Sequence, residues 1–212
     1  MIQIDDAGSG SLIGGTCIGA MRVETLEYRY EIIPISYYRG EAFQQKKYLN
    51  KCTEIVKSLL EQLNVSHDEK IMICQGYMFE KARKWLHNEG FFYEKAKIGQ
   101  PLQDVIEETF FTYALQLGIP VQYVKYTKYP LHFHRLLRWV YADYQKRVSL
   151  CKTGWKSWKK YGYLKVSYSM DVLYKSSYTC LKCNQKIDKG SPVKVLQYSS
   201  NCPNTIYLHQ DC

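Results

Sequence analysis

Met1-Ile2-Gln3-Ile4-Asp5-Asp6-Ala7-Gly8-Ser9-Gly10 is the stretch around which the rest of the chain is read. An apolar run with isoleucine at alternate positions reads as a strand, and it ends in two consecutive carboxylates and a glycine-rich turn. Two acids at a strand end are not comfortably buried without a counter-charge. Hard cations such as Mg²⁺ seek oxygen ligands on rigid elements, so Asp5 and Asp6 are candidate ligands for a divalent ion. Glycines at 8, 10, 14 and 15 clear side chains from the turn and would let a phosphate or sugar approach the peptide. The same letters also describe an acidic hairpin turn with Gly at positive φ, and local sequence leaves that alternative open.

Residues 15–23 and 28–35 read as two further strands, the last with Glu27, Arg29 and Glu31 on a solvated face, so an antiparallel meander is expected. A helix is expected over 44–63, with Leu49, Cys52, Ile55, Val56, Leu59 and Leu63 in one stripe. The short apolar run 70–74 suits a strand buried on both faces. Helices follow at 80–87 and 102–117, the second stopped by Gly118 and Pro120, then a strand at 121–126 and, after Pro130, a long helix through Leu150. Three hairpin strands followed by alternating helices and strands give an α/β fold, a mixed sheet flanked by helices. The expected division is a first domain over 1–175 and a small module over 176–212.

The chain has 212 residues, 46% of them hydrophobic, enough for one full domain with an appendage. A formal charge of +9 favours a polyanionic partner. No apolar run approaches the roughly 20 residues that span a bilayer, and the start lacks a secretory leader pattern, so no membrane partner and a cytoplasmic location are expected. Of the eight cysteines, Cys17, Cys52, Cys74 and Cys151 are scattered and read as small buried apolar residues, whereas four crowd the tail.

In that tail, Cys180-Leu181-Lys182-Cys183 and His209-Gln210-Asp211-Cys212 form two close ligand pairs. Tetrahedral zinc takes sulfur and imidazole, and a two-residue gap lets both members of a pair converge on one ion from a tight turn. Cys202 competes as the fourth ligand. Ile187, Val193, Val195, Leu196 and Ile206 offer a small core that a structural Zn²⁺ would help to order.

The order of elements resembles that of the ribonuclease H-like superfamily. Ile4-Asp5-Asp6-Ala7-Gly8-Ser9-Gly10-Ser11-Leu12-Ile13-Gly14 is similar to the Asp-Glu-Ala-Gly-Arg-Gly-Pro-Leu-Ala-Gly signature of type 2 ribonucleases H. Ile98-Gly99-Gln100 through Asp104, with Gly118-Ile119-Pro120-Val121, is similar to segments of RuvC-type resolvases. The resemblance implies that Asp5 and Asp6 bind Mg²⁺ or Mn²⁺ in a phosphodiester-cleaving centre. It also implies a metal-ligating acid at the end of the fourth strand, where this chain reads Ile73-Cys74-Gln75-Gly76. A third acid is then expected from Asp143, the preferred candidate, or from Glu80, Asp104, Glu107 or Glu108. The tail resembles treble-clef-like fingers of Cys-x-x-Cys, His-x-x-Cys spacing, among them the PARP-type finger.

Between 146 and 165, Lys152, Lys156, Lys159 and Lys160 are interleaved with Trp155 and Trp158, and no acid falls between Gln145 and Val166. Cations neutralise phosphates and aromatic faces stack on bases, so these six residues are candidates for nucleic-acid contact. The alternative is a helix end with tryptophans in the core and lysines in solvent. His132 and His134 read as partly buried, hydrogen-bonded residues rather than catalysts. No Ser-His-Asp order, P-loop or dinucleotide fingerprint is present. Two functions are therefore expected in competition: a divalent-metal-dependent nuclease or resolvase, and a non-catalytic adaptor that binds nucleic acid or protein through its zinc module.

Overall fold

A computed structural model describes residues 1–124, 129–174 and 177–212. Two compact units are present, Met1–Leu117 and Gly118–Cys212.

The first unit opens with the expected meander, β1 (Ile2–Ala7), β2 (Thr16–Arg22) and β3 (Glu27–Ile33), paired antiparallel. A short helix α1 (Gly40–Gln44) precedes α2 (Lys47–Gln62); the expected single helix is interrupted because Lys46 adopts a left-handed conformation, φ 54°. β4 (Ile71–Cys74) then adds to β1 in parallel, and after α3 (Glu80–Asn88) a strand β5 (Tyr93–Ala96) adds to β4, also in parallel. Helix α4 (Leu102–Gln116) closes the unit. The result is an α/β fold with a mixed five-stranded sheet in the order β3-β2-β1-β4-β5. β5 was not expected: Glu94 and Lys95 make it read as polar, which an edge strand tolerates because its outer side faces water.

β1 is the centre of this sheet, and its alternation sorts side chains between two cores. Ile2 and Ile4 join Ile55, Val56 and Leu59 of α2 and Ala82 and Leu86 of α3. Ala7 joins Met21 of β2 and Leu102 and Ile106 of α4 on the other face. Gln3 is buried on that second face, and its Oε1 accepts the Leu102 N–H at 3.3 Å, satisfying a donor at the start of α4. The strand that carries the acids is thereby fixed from both sides.

The glycine turn is filled rather than open. The Phe110 ring lies where a Cβ of Gly8 (φ +82°) would stand, and the side chains of Tyr113 and Leu117 come within 2.9 Å of the same position at Gly14 (φ +80°). The Gly15 N–H donates to the Tyr113 hydroxyl at 3.1 Å. Gly8 and Gly14 admit side chains from α4, which corrects, at those two positions, the expectation that they make room for a phosphate.

In the second unit, Val121–Val124 forms a helical turn, α5, where a strand over 121–126 was expected; residues 125 and 126 lie outside the described residues. A four-residue apolar run carries no period that separates the two states. The long helix resolves into α6 (Tyr129–Ala142) and α7 (Tyr144–Arg147), broken at Asp143 (φ −150°, ψ 64°). After α8 (Lys156–Tyr161) come β6 (Ser167–Val172), the small hairpin β7 (Tyr178–Thr179) and β8 (Lys186–Ile187), and the strands β9 (Pro192–Ser199) and β10 (Pro203–His209). β10, β9 and β6 make a three-stranded antiparallel sheet. α6 is held to it by Arg138, which donates to the Thr205 carbonyl at 2.9 Å, and by the Tyr141 ring 4.4 Å from that of Tyr198.

The compact units thus divide at 117/118, whereas the sequence suggested 175/176. The reason is visible in the pairing: Tyr168 opposes Leu196, so β6, on the near side of the expected boundary, belongs to the same sheet as the tail. The junction itself, residues 175 and 176, lies outside the described residues. Among the described residues, no helix is long and apolar enough to cross a membrane.

Candidate metal centres

The tail cysteines converge as their spacing suggests. Cys180 leaves β7 and opens a tight turn: its N–H donates to the Gln185 carbonyl at 2.9 Å, and the Asn184 N–H donates back to the Cys180 carbonyl at 2.8 Å. Asn184 takes the left-handed conformation (φ 63°) that lets the chain return into β8. His209 ends β10, and the Cys212 N–H donates to its carbonyl at 3.1 Å, which brings the second pair around.

One ligand atom from each of Cys180, Cys183, His209 and Cys212 lies within 4.8 Å of the others. The Cys180 and Cys212 sulfurs are 3.9 Å apart. Tetrahedral zinc with Zn–S bonds near 2.3 Å places two sulfurs about 3.8 Å apart, so the spacing suits that ion. His209 Nε2 lies 3.2 Å from the Lys186 carbonyl, and its Nδ1 lies 3.2 Å from the Cys183 sulfur. Donation from Nε2 to that carbonyl leaves the Nδ1 lone pair directed at the sulfurs, the arrangement that orients a metal-binding imidazole. Burial opposes ionisation of Cys180, but the N–H groups of Cys183, His209 and Lys182 outweigh it and bring its thiol down to about 6. Burial and the neighbouring thiols push Cys212 up to about 11. The cluster therefore holds one thiolate readily, and this Cys₃His set could hold a metal such as zinc. Cys202, the competing ligand, is exposed in the β9–β10 turn and stands outside the cluster.

Arg147 is the residue that sequence reasoning missed here. It lies at the start of the basic stretch 146–165, yet its guanidinium is buried, 3.9 Å over the Trp139 ring. It donates to the carbonyls of Trp139 (2.6 Å), Leu181 (2.8 Å) and Lys182 (3.0 Å). The last two residues lie between the first pair of cysteines, so α7 pins the turn that carries them. No local signal in the sequence distinguishes this arginine from its exposed neighbours.

The second cluster lies at the end of β1. One ligand atom from each of Asp5, Asp6 and Cys74 lies within 4.8 Å of the others. β1 and β4 run in parallel with Ile4 opposite Ile73, so Asp5 and Cys74 are the next pair beyond the ladder. The Asp6 N–H donates to Asp5 Oδ1 at 2.9 Å. Arg83 of α3 fixes the β4 tip from behind, donating to the carbonyls of Cys74 (2.6 Å) and Gly76 (3.0 Å).

The electrostatics here run opposite to those of the tail. Burial holds the Asp5 carboxyl above its ordinary range; hydrogen bonds from Cys74 and the Asp6 N–H pull it down, and Glu107 on α4 adds to the upward push. Burial, with both aspartates nearby, pushes the Cys74 thiol up to about 12. Cys74 is thus a neutral S–H donor to Asp5 at neutral pH. Two carboxylates and a thiol suit one loosely held ion better than the pair of ions, about 4 Å apart, of two-metal hydrolysis.

Asp143 belongs to the second unit, where its carbonyl accepts the Arg147 N–H at 3.0 Å; among the described residues the Asp5 cluster contains no third carboxylate. Glu107 is the acid that acts on Asp5 electrostatically. In the basic stretch, Lys152 and Trp158 are fully buried, which removes them from surface contact with nucleic acid. Trp158 stacks on Tyr144 and meets Tyr163 edge-on, while the Lys152 ammonium sits 5.3 Å from the Trp155 ring centre. Trp155 is half-buried, and Lys156, Lys159 and Lys160 remain exposed on α8. The His134 ring is hydrogen-bonded to Asn201, 3.0 Å away.

The chain matches no protein-family model, and no curated protein registers as a relative of it.

Proposed function

We propose that this chain acts on nucleic acid, with a ribonuclease H-like first unit that takes one divalent cation at Asp5 and Asp6 and a second unit stabilised by zinc. The observation that carries the reading is the meeting of the two carboxylates at the end of the central strand, beside the tip of its parallel neighbour β4. The order β3-β2-β1-β4-β5 supports it, since a three-stranded meander extended by parallel strands on the β1 edge is the sheet expected of that superfamily.

Mg²⁺ or Mn²⁺ bound there would polarise a phosphoryl oxygen and activate water. The chain's own part is to hold the acids. Gln3 and the two cores fix β1, Arg83 fixes the β4 tip, and the Cys74 thiol donates to Asp5. Glu107 faces Asp5 closely enough to raise it, which makes it the best third acid on this face. The exposed ammonium groups of Lys156, Lys159 and Lys160 suit a phosphate backbone.

The test is incubation of the purified chain with labelled RNA–DNA hybrid, branched DNA and single strands in Mg²⁺ or Mn²⁺. Cleavage that disappears in Asp5→Asn is the expected result. The adaptor reading is favoured by one specific observation, the thiol of Cys74 where the resemblance calls for a metal-ligating acid; salt-sensitive binding without cleavage would establish it instead. Neither binding nor cleavage at low salt defeats both.

A further inference from the structure

We infer that the groove between β6 and the α6–α7 break is a nucleotide-binding site that takes one unstacked base of a single strand. This rests on the nucleic-acid reading above and names a place on the second unit where such a strand would be held.

The groove encloses about 470 Å³, within the range of small-ligand sites. It is built by the pleat of β6: Tyr168 opposes Leu196 and Met170 opposes Lys194, so these four side chains share one face of the sheet. Leu196 is buried and forms the floor, whereas Tyr168 is 64% exposed and Met170 56% exposed, flanking the hollow at the free edge of the sheet. Across from them stands Tyr144, whose hydroxyl donates to the Gly162 carbonyl at 2.7 Å and whose ring stacks between those of Tyr141 and Trp158. That ring is immobilised before any ligand arrives, which lowers the ordering cost of binding.

The polar groups decide the class of occupant. Lys194 and Asp143, one of each charge, both line the groove. Asp143 occupies the position before α7 where an aspartate ordinarily caps the helix, yet its side chain makes no such bond. A flat apolar body stacked on Tyr168 beside Met170, a negative group reaching Lys194 and a hydrogen-bond donor reaching Asp143 together describe a base with an exocyclic amino group and its phosphate. Carboxylates accept from the amino group of cytosine in this way, and aromatic faces hold unstacked bases irrespective of sequence. The stretch that follows Tyr144 agrees in sign, since no acid lies between Gln145 and Val166.

The experiment uses the full zinc-loaded chain and fluorescein-labelled oligo-dC and oligo-dT, read by anisotropy at two salt concentrations. Wild type should bind oligo-dC more tightly than oligo-dT by about tenfold, the size of one good base contact. Tyr168→Ala with Met170→Ala should weaken oligo-dC binding by about tenfold, the loss of a stacked base. Asp143→Asn should erase the preference for dC, and Lys194→Gln should lower the salt slope by about one unit. Retained zinc content shows that each variant is folded. If wild type binds single strands and the groove variants bind equally well, the groove inference is wrong while the nucleic-acid reading stands. If wild type binds no oligonucleotide at low salt, both are wrong. Self-association that Tyr168→Ala abolishes, with oligonucleotide binding unchanged, assigns the groove to a second copy of the chain and overturns the inference.

Discussion

The two clusters of ligand atoms have opposite chemistry. Each gathers its atoms within 4.8 Å. In the tail, backbone N–H groups stabilise the Cys180 thiolate, and a carbonyl turns His209 so that its free nitrogen faces the sulfurs. At the β1 tip, burial, with Glu107 adding to it, raises the Asp5 carboxyl, and burial with both aspartates nearby holds the proton on the Cys74 thiol. Closeness of donors is therefore a poor guide by itself. What separates a resident metal from a transient one is whether the fold has prepared the charged form of its ligands.

The contrast is broken most forcefully by denying the tail cluster the metal that it could hold. A structural zinc contributes on the order of 10 kcal/mol of apparent binding free energy at neutral pH. Chelation or Cys180→Ser is expected to abolish cooperative melting of the second unit, read by near-ultraviolet circular dichroism of its tyrosines and tryptophans, with zinc lost by elemental analysis. An unchanged melt after complete zinc removal would show that the tail, too, stands without its ion. Next in size is Arg147→Ala. Three carbonyls lose a charged donor and Trp139 its cation, at a cost of about 3 kcal/mol. Denaturant melts should show that loss, and competition with a chromogenic chelator should show faster zinc release. Arg147→Lys should recover only part of both, because an ammonium cannot reproduce the planar fork.

How far the sequence foretold these sites follows from whether their determinants are local. The paired spacing of Cys180 with Cys183 and His209 with Cys212 is a local property, and the cluster formed from it. The stripe Leu49, Cys52, Ile55, Val56, Leu59 is likewise local, and α2 buries it. Arg147 was illegible because its partners are backbone carbonyls that only the folded chain brings near. The Gly8 turn was misread for the same reason: Phe110 and Tyr113, far along the chain, fill the room that the glycines leave. Lys152 and Trp158 looked like a surface because alternation of lysine and tryptophan has no period that tells inside from outside. Trp158 is instead the plate on which Tyr144 stacks.

Asp5→Asn sharpens the other side of the comparison through pH. A carboxyl whose pKa is raised by folding prefers its protonated form in the native state. The stability it contributes is complete below its unfolded value, about 3.9, and is lost as pH rises through the higher folded value. Without divalent cation, Asp5→Asn should therefore melt at a higher temperature than wild type at pH 7, and the difference should vanish toward pH 4. Adding Mn²⁺ should raise the wild-type midpoint and not that of the variant. A variant less stable than wild type at pH 7 would mean that the Asp5 charge is already satisfied in the metal-free fold.

The smallest effect carries the finest distinction. A thiol pushed up to about 12 is a neutral donor to Asp5 at pH 7, so Cys74 positions the carboxylate and leaves the cation to the oxygens. Serine keeps an O–H donor of nearly the same reach, and Cys74→Ser is expected to change the Mn²⁺-induced thermal shift, followed as a titration, by less than about twofold in apparent affinity, well under 1 kcal/mol. Zinc and cadmium separate the alternatives, because thiolate ligands select soft ions and carboxylates do not. If micromolar Cd²⁺ stabilises the first unit in wild type and fails to do so in Cys74→Ser, the sulfur gives up its proton to a metal. The β1 tip would then bind metal through a deprotonated sulfur, as the tail set can, and the difference in ligand preparation drawn between them would fall.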